Sequence, residues 1–168
     1  MTTPARYVVL SGGVGGARFT DGLARALGDG ARDLAIIANT GDDFTHLGLA
    51  ICPDLDTLMY TLAGRVNPET GWGCADETWS CMEALADLGA ETWFRLGDRD
   101  LATHLERTRR LAAGETLGAV TAALCRSLGV VPALLPMSDA PVRTLLDTAE
   151  GALALQDYFV RRRAAPVV

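Results

Sequence analysis

Two sets of residues have the types and spacing that chemistry needs. The first is the glycine run Leu10-Ser11-Gly12-Gly13-Val14-Gly15-Gly16-Ala17-Arg18. The second is a quartet of acids, Asp42, Asp43, Asp54 and Asp56, within fifteen residues. Glycines without Cβ atoms let backbone N–H groups approach an anion, and a helix start behind them adds a favourable dipole. The run is not a Walker loop, which ends in Gly-Lys-Ser/Thr; the chain has no lysine, and its 15 basic residues are all arginine. It is not a full dinucleotide fingerprint either, because Arg18 stands where the third glycine belongs. A phosphate- or nucleotide-binding loop and a ligand-free tight β–α turn both remain open. Adjacent aspartates after a buried strand need a partner. A helix N-terminus, an arginine, or a hard cation such as Mg²⁺ would serve.

These residues must be positioned by the elements around them. The apolar run Tyr7-Val8-Val9-Leu10 reads as a strand, and Phe19, Leu23, Ala26 and Leu27 mark one side of a helix after the glycines. Leu34-Ala35-Ile36-Ile37-Ala38 reads as the second strand of a parallel sheet and empties into Asn39-Thr40-Gly41-Asp42-Asp43. Ligands in open α/β sheets bind beyond the strands' carboxyl ends, which brings Asp42 and Asp43 to the glycine loop. Pro53 suits a helix start, Asp54 can cap a helix over 55–62, and Asp56 then lies in its first turn.

Residues 64–76 are loop-like, with Trp72 between Gly71 and Gly73 as a lid or a core plug. A helix over 77–88 carries the core stripe Trp79, Met82, Leu85 and Leu88, stopped by Gly89. Trp93-Phe94-Arg95-Leu96 is a short strand or extended piece. Asp98 is an N-cap candidate for the next helix, which places His104 in its second turn, where a lone histidine reads first as structural. Arg107, Arg109 and Arg110 form a solvated face, one member of which can meet a phosphate. A helix over 116–128, an extended segment over 130–136 and an additional strand over 142–146 complete the pattern. The expected architecture is α/β: a Rossmann-like three-layer sandwich, its sheet mostly parallel, with a helical insertion, forming a single domain over 1–168.

Hydrophobic residues make up 49% and charged residues 21% of the 168, which describes one globular domain with a real core. A net charge of −6 argues against non-specific nucleic-acid binding. No apolar run approaches a membrane span and the start has no signal pattern, so the cytosol is the expected compartment. Cys52, Cys74, Cys81 and Cys125 show no C-x-x-C pairing and are expected to be reduced.

Taken in order, several motifs resemble the 2-phospho-L-lactate transferase family. They are Gly12-Gly13-Val14-Gly15-Gly16-Ala17-Arg18, Asn39-Thr40-Gly41-Asp42-Asp43, Ile51-Cys52-Pro53-Asp54-Leu55-Asp56-Thr57, Gly71-Trp72-Gly73, Glu77-Thr78-Trp79, Leu96-Gly97-Asp98-Arg99-Asp100-Leu101-Ala102-Thr103-His104 and Gln156-Asp157-Tyr158-Phe159-Val160. Each motif is weak alone; the ordered series is specific and covers nearly the whole chain. The resemblance implies a step in coenzyme F-420 biosynthesis. The ribityl hydroxyl of the deazaflavin FO attacks the distal phosphorus of a guanosine diphosphate adduct of lactate or enolpyruvate, GMP leaves, and Mg²⁺ assists. It also implies a homodimer and a chain twice this length, of which this would be the N-terminal portion.

On that reading Asp42, Asp43 and Asp56 handle the metal, with Asp43 and Asp56 as the catalytic pair that orients or deprotonates the hydroxyl. Gly12, Gly13, Gly15, Gly16 and Arg18 cradle the donor diphosphate, Asn39, Thr40 and Asp42 bind substrate, and Trp72 and His104 line the acceptor pocket. A nucleotide or nucleotide-sugar binding regulator without turnover is the alternative. An NAD-dependent oxidoreductase is disfavoured by Arg18 and by Asn39, which stands where a ribose-binding acid would end the second strand.

Overall fold

The computed structural model describes residues 6–168. β1 (Tyr7–Ser11) runs into the glycine turn and α1 (Gly13–Leu27) leaves it. Gly13 holds φ at +63°, a left-handed conformation that favours glycine, and a Cβ on Gly12 would strike the Asp54 carboxylate. A short 3₁₀ turn leads to β2 (Leu34–Ala38), and β3 (Phe44–His46) and β4 (Leu49–Ile51) form a hairpin. Then come α2 (Pro53–Leu62), α3 (Ser80–Asp87), α4 (Asp98–Ala112), α5 (Leu117–Leu128) and β5 (Ala133–Pro136). A second hairpin, β6 (Leu145–Thr148) and β7 (Gly151–Ala154), and a π-helical turn Asp157–Arg161 close the chain.

The central sheet is parallel, in the order β1-β2-β5. Leu34, Ile36, Ala38 and Leu134 on one face are buried against α1, α2 and α5, forming the main core with Ala17, Leu55, Leu58 and Met59. The α/β class with a parallel sheet is as the sequence predicts. The described residues supply the sheet and one helical layer; the opposite face, Val8, Leu10, Ala35, Ile37, Ala133 and Leu135, contributes no buried residue. A second apolar cluster joins the β3–β4 hairpin to α3, α4 and the 93–96 segment. It comprises Phe44, Ile51, Met82, Leu96 and Leu101, backed by Trp79, Trp93 and Phe94.

Local expectations differ from the structure in instructive places. On α1 the buried residues are Ala17 and Thr20, with Leu23, Ala24 and Leu27 partly buried, whereas Phe19 is exposed. The expected 142–146 strand does not join the central sheet; β6 pairs only with β7, tied to the acid loop through Thr144 N–H to Gly41 O at 2.6 Å. Trp93-Phe94-Arg95-Leu96 forms a bend with no strand, and Leu88 points to solvent. All four cysteines are free, three of them buried.

The predicted 77–88 helix starts three residues late because its cap comes from elsewhere. Asp98 caps not its own helix but α3: it accepts from Thr78 Oγ1 at 2.6 Å, Ser80 N at 3.1 Å and Cys81 N at 3.0 Å. Glu77 returns the arrangement to α4, accepting from Arg99 N at 2.8 Å and Asp100 N at 2.9 Å. Two helix starts are thus capped by each other's leading segments, and both carboxylates lie at positive dipole ends. Glu77→Ala is expected to lower stability by about 1 kcal/mol, the usual worth of an N-cap. Urea unfolding of the variant measures it, and Glu77→Gln should recover part of the loss.

Candidate functional site

The carboxyl ends of β1 and β2 and the start of α2 meet at one carboxylate. Asp54 accepts from Gly13 N at 2.6 Å and from Asn39 Nδ2 at 3.0 Å. Asn39 also donates to Asp42 Oδ1 at 3.2 Å, and its own Oδ1 accepts from Gly41 N at 3.0 Å. Asp54 therefore does not cap α2, where Cys52 holds the N-cap position without a side-chain bond. It reaches instead to the start of α1, whose unpaired N–H groups and dipole favour a carboxylate there.

A cavity of about 580 Å³ opens beside this junction. Gly13, Val14, Asp42 and Asp54 line it, together with Asp56, Tyr60, Asp100 and His104. Trp72, Trp93, Phe94 and Arg95 add an aromatic and cationic wall, and Gln156 and Val160 come in from the final segment. Trp72 is 52% exposed, so it is not a core plug; it lines the cavity between two glycines in left-handed conformation. The volume and mixed lining are those of a small-molecule pocket.

The acids divide. Asp43 and Thr40 line a neighbouring cavity of about 270 Å³ with Cys52 and Arg143. Asp42 and Asp43 are both pushed up from the ordinary 3.8 to about 7. For Asp42 burial contributes most, then the charges of Asp54 and Asp43. For Asp43 burial again leads, opposed by the Cys52 thiol and Arg107. One oxygen of Asp43 is buried without a partner.

Asp56 has a different fate. Its carboxylate is gripped by both terminal nitrogens of Arg107, one at 3.1 Å and the other in a shorter contact. Arg107 is 1% exposed; burial opposes its charge, but Asp56 more than offsets this and holds it protonated. Arg107 also donates to the Ala50 carbonyl at 3.2 Å and faces His104 Nδ1 at 3.2 Å. A guanidinium can only donate, so Nδ1 accepts and the ring proton sits on Nε2, 3.3 Å from Asp100 Oδ2. Tyr60 completes the chain by donating to Asp100 at 2.7 Å. Asp56, Asp100 and His104 converge closely enough to suggest a metal triad. With Nε2 protonated and Asp56 spanned by Arg107, they form a bridge between α2 and α4 in which Arg107 balances Asp56, while Asp100 keeps its charge and is held by Tyr60 and His104.

The remaining sequence candidates fall as follows. Gly12 and Gly13 touch the junction, Gly16 packs over Ser11, and Gly15 is open to solvent. Arg18 is exposed, close to the Gly71 turn. Arg109 and Arg110 pair with Glu106 and Glu115, so the solvated face is real for those two but not for Arg107. Asp100 and Arg107, the latter read only as part of the solvated arginine face, and Tyr60, Trp93, Phe94, Arg95 and Gln156 were not predicted at the site. The first two left a signal: residues 100, 104 and 107 share one face of a helix that also buries Leu101, a polar stripe where an apolar one is usual.

The ordered motifs and this junction agree with what the chain resembles. A model of the family described as 2-phospho-L-lactate transferase CofD matches residues 7–168. The chain belongs to this family. It is 52% identical over 165 residues to a phosphoenolpyruvate transferase of Streptomyces avermitilis, and 49% identical over 170 residues to one of Thermobifida fusca. Each match covers 95% of this chain but 51% and 53% of the relative. A crystal structure of a Bacillus halodurans protein superposes with a TM-score of 0.53 at 15% identity, over 98% of this chain and 49% of that one, a likeness of fold. The chain thus spans about half the length of the transferase-family relatives it matches. No helix among the described residues is long and apolar enough to cross a membrane.

Two outcomes test the electrostatics. Asp42 and Asp43 keep protons in the folded state that they lose when unfolded, between their ordinary 3.8 and about 7. The contribution of these two groups to stability is therefore largest on the acid side of that interval and is lost as pH rises through it. Asp42→Asn should flatten the fall and stabilise the protein at pH 8 by about 1–2 kcal/mol after solvent screening, measured by urea unfolding at pH 5 and 8. Arg107→Met should cost about 3–5 kcal/mol by stranding the buried Asp56 charge. Adding Asp56→Leu to that variant should recover most of the loss.

Proposed function

We propose that this chain contributes the donor and acceptor pocket of a transferase in coenzyme F-420 biosynthesis. The group moved is a phosphoenolpyruvyl or phospholactyl unit, carried on a guanosine diphosphate adduct. The names of the relatives favour the enolpyruvyl form. The acceptor is the ribityl hydroxyl of FO: its oxygen bonds to the distal phosphorus, the bridging P–O bond breaks, and GMP leaves. The observation that carries this reading is the single cavity lined by Gly13 of the glycine turn, Asp42 and Asp54 together with Trp72, Trp93 and Phe94.

Oxygen-only donors crowded together, with two carboxyls raised to about 7, fit a hard divalent cation such as Mg²⁺. When bound, the ion would neutralise charge on the donor diphosphate and on the leaving GMP. Asp42 and Asp54 are the residues that would hold it, with Asp43 adding negative charge from behind. Asp54 stands where an anion would otherwise meet Gly13 N–H, so the glycine turn alone would repel a diphosphate, and Asp42 and Asp54 would accept one only with a cation held between them. Trp72, Trp93 and Phe94 offer faces for a planar deazaflavin. Asp56 and Asp100, immobilised by Arg107, Tyr60 and His104, can accept from the polyol hydroxyls and orient the attacking one. Most of the catalytic gain in such a displacement comes from this positioning.

Calorimetric titration with GDP, GMP, NAD and UDP-sugars, with and without Mg²⁺, tests the reading. A guanine nucleotide that binds at least tenfold tighter with Mg²⁺ is expected, and Asp42→Asn should remove that enhancement. Preference for NAD or a UDP-sugar would point to a regulator and overturn the proposal. In a full-length relative given FO and donor, the substitutions matching Asp42→Asn and Asp56→Asn should each lower GMP release at least a hundredfold.

A further inference from the structure

Four carboxylates line the large cavity: Asp42, Asp54, Asp56 and Asp100. Arg95 is the one arginine among the described residues that line it. Arg107 lies behind the wall with its charge spent on Asp56, and His104 accepts from Arg107 through Nδ1, which leaves its ring neutral. An anionic group that enters the cavity therefore meets one permanent positive charge, and that charge is on Arg95.

The surroundings of Arg95 hold it ready without neutralising it. Leu96 on one side is 1% exposed, and Phe94 on the other packs edge-to-face on Phe44 with ring centres 4.8 Å apart, so the backbone is fixed at both neighbours. The guanidinium carbon lies 4.1 Å from the centre of the Trp79 ring. That contact uses the flat face of the cation and leaves its N–H edge free. The acids that flank it in sequence are engaged elsewhere. Glu91 accepts from Trp93 Nε1 at 3.3 Å and pairs with Arg161 at 3.5 Å, and Asp98 caps α3. A guanidinium held on a ring rather than on an acid, in a cavity with four acids, is preorganised for an anion from outside.

The reading proposed above brings two kinds of anion into the cavity. The diphosphate goes with the cation at Asp42 and Asp54. The transferred group, lactyl or enolpyruvyl, adds a carboxylate on the carbon that bears the phosphate ester oxygen. We infer that Arg95 recognises this carboxylate through a bidentate pair along its N–H edge. The inference rests on that reading and adds to it the source of donor specificity. A guanosine diphosphate ester without the carboxylate would bring Arg95 no partner and would be discriminated against.

Calorimetric titration of this chain in Mg²⁺ tests the inference with three probes: GDP, the guanosine diphosphate adduct of L-lactate, and the matching lactamide adduct, in which a neutral amide replaces the carboxylate. The lactate adduct should bind about tenfold or more tighter than the lactamide adduct, as a charge-assisted pair implies. Arg95→Met, which keeps the stem and removes the charge, should abolish that difference while GDP still binds, which also shows that the variant is folded. Arg95→Lys, with a point charge and no fork, should restore only part of it. Equal binding of the two adducts to the unsubstituted chain, or a difference that survives in Arg95→Met, would overturn the inference while Mg²⁺-dependent GDP binding leaves the transferase reading standing. Absence of GDP binding in Mg²⁺ would overturn both.

Discussion

The Asp54 carboxylate is the joint on which the site depends. It sits on the first turn of α2, yet its hydrogen bonds go to the first turn of α1 and to the residue that ends β2. Three segments far apart in the chain are thereby held at one point. The cost is a negative charge placed where the helix dipole and free N–H groups would otherwise receive an anion. The glycine turn is consequently specified from both sides: Gly13 for its dihedral, Gly12 for the closeness of that carboxylate.

Charge is distributed around the joint in two modes. On the α4 side, Arg107 neutralises Asp56 and meets His104, while the Asp100 carboxylate is ionised and held by the Tyr60 hydroxyl and faced by His104. On the strand side, Asp42 and Asp43 have no arginine in direct contact among the described residues, and they respond by holding protons. The α4 side is held by direct hydrogen bonds to each carboxylate; the strand side is under electrostatic load that a cation or a proton can relieve. That contrast explains why two groups of acids so similar in sequence behave differently.

Much of the fold was legible from the chain alone because it rests on local rules. The apolar run 34–38 is β2, Thr116 and Gly129 bound α5 as cap residues should, and the glycine run separates strand from helix. What escaped the sequence was decided at long range. Asp54 and Asp98 both look like caps for the helices they precede, and both serve a different helix, because the winning hydrogen bonds are 41 and about 20 residues away. Arg107 looks like its exposed neighbours Arg109 and Arg110 and differs only in the face of α4 it occupies. Of the acid quartet, Asp54 contacts the glycine turn and Asp42 joins it through Asn39, whereas Asp43 lines another cavity and Asp56 is bound by Arg107, a partition that composition does not encode.

The exchanged caps on α3 and α4 carry a dynamic consequence. Because each helix start is completed by the segment leading into the other, neither can fray without releasing donors on its partner. The two should open together as one cooperative unit, with the aromatic bend between them carried along. Access to the aromatic side of the cavity would then be governed by a concerted loosening of this region, on the slower timescale of local unfolding, with no separate loop needed as a gate.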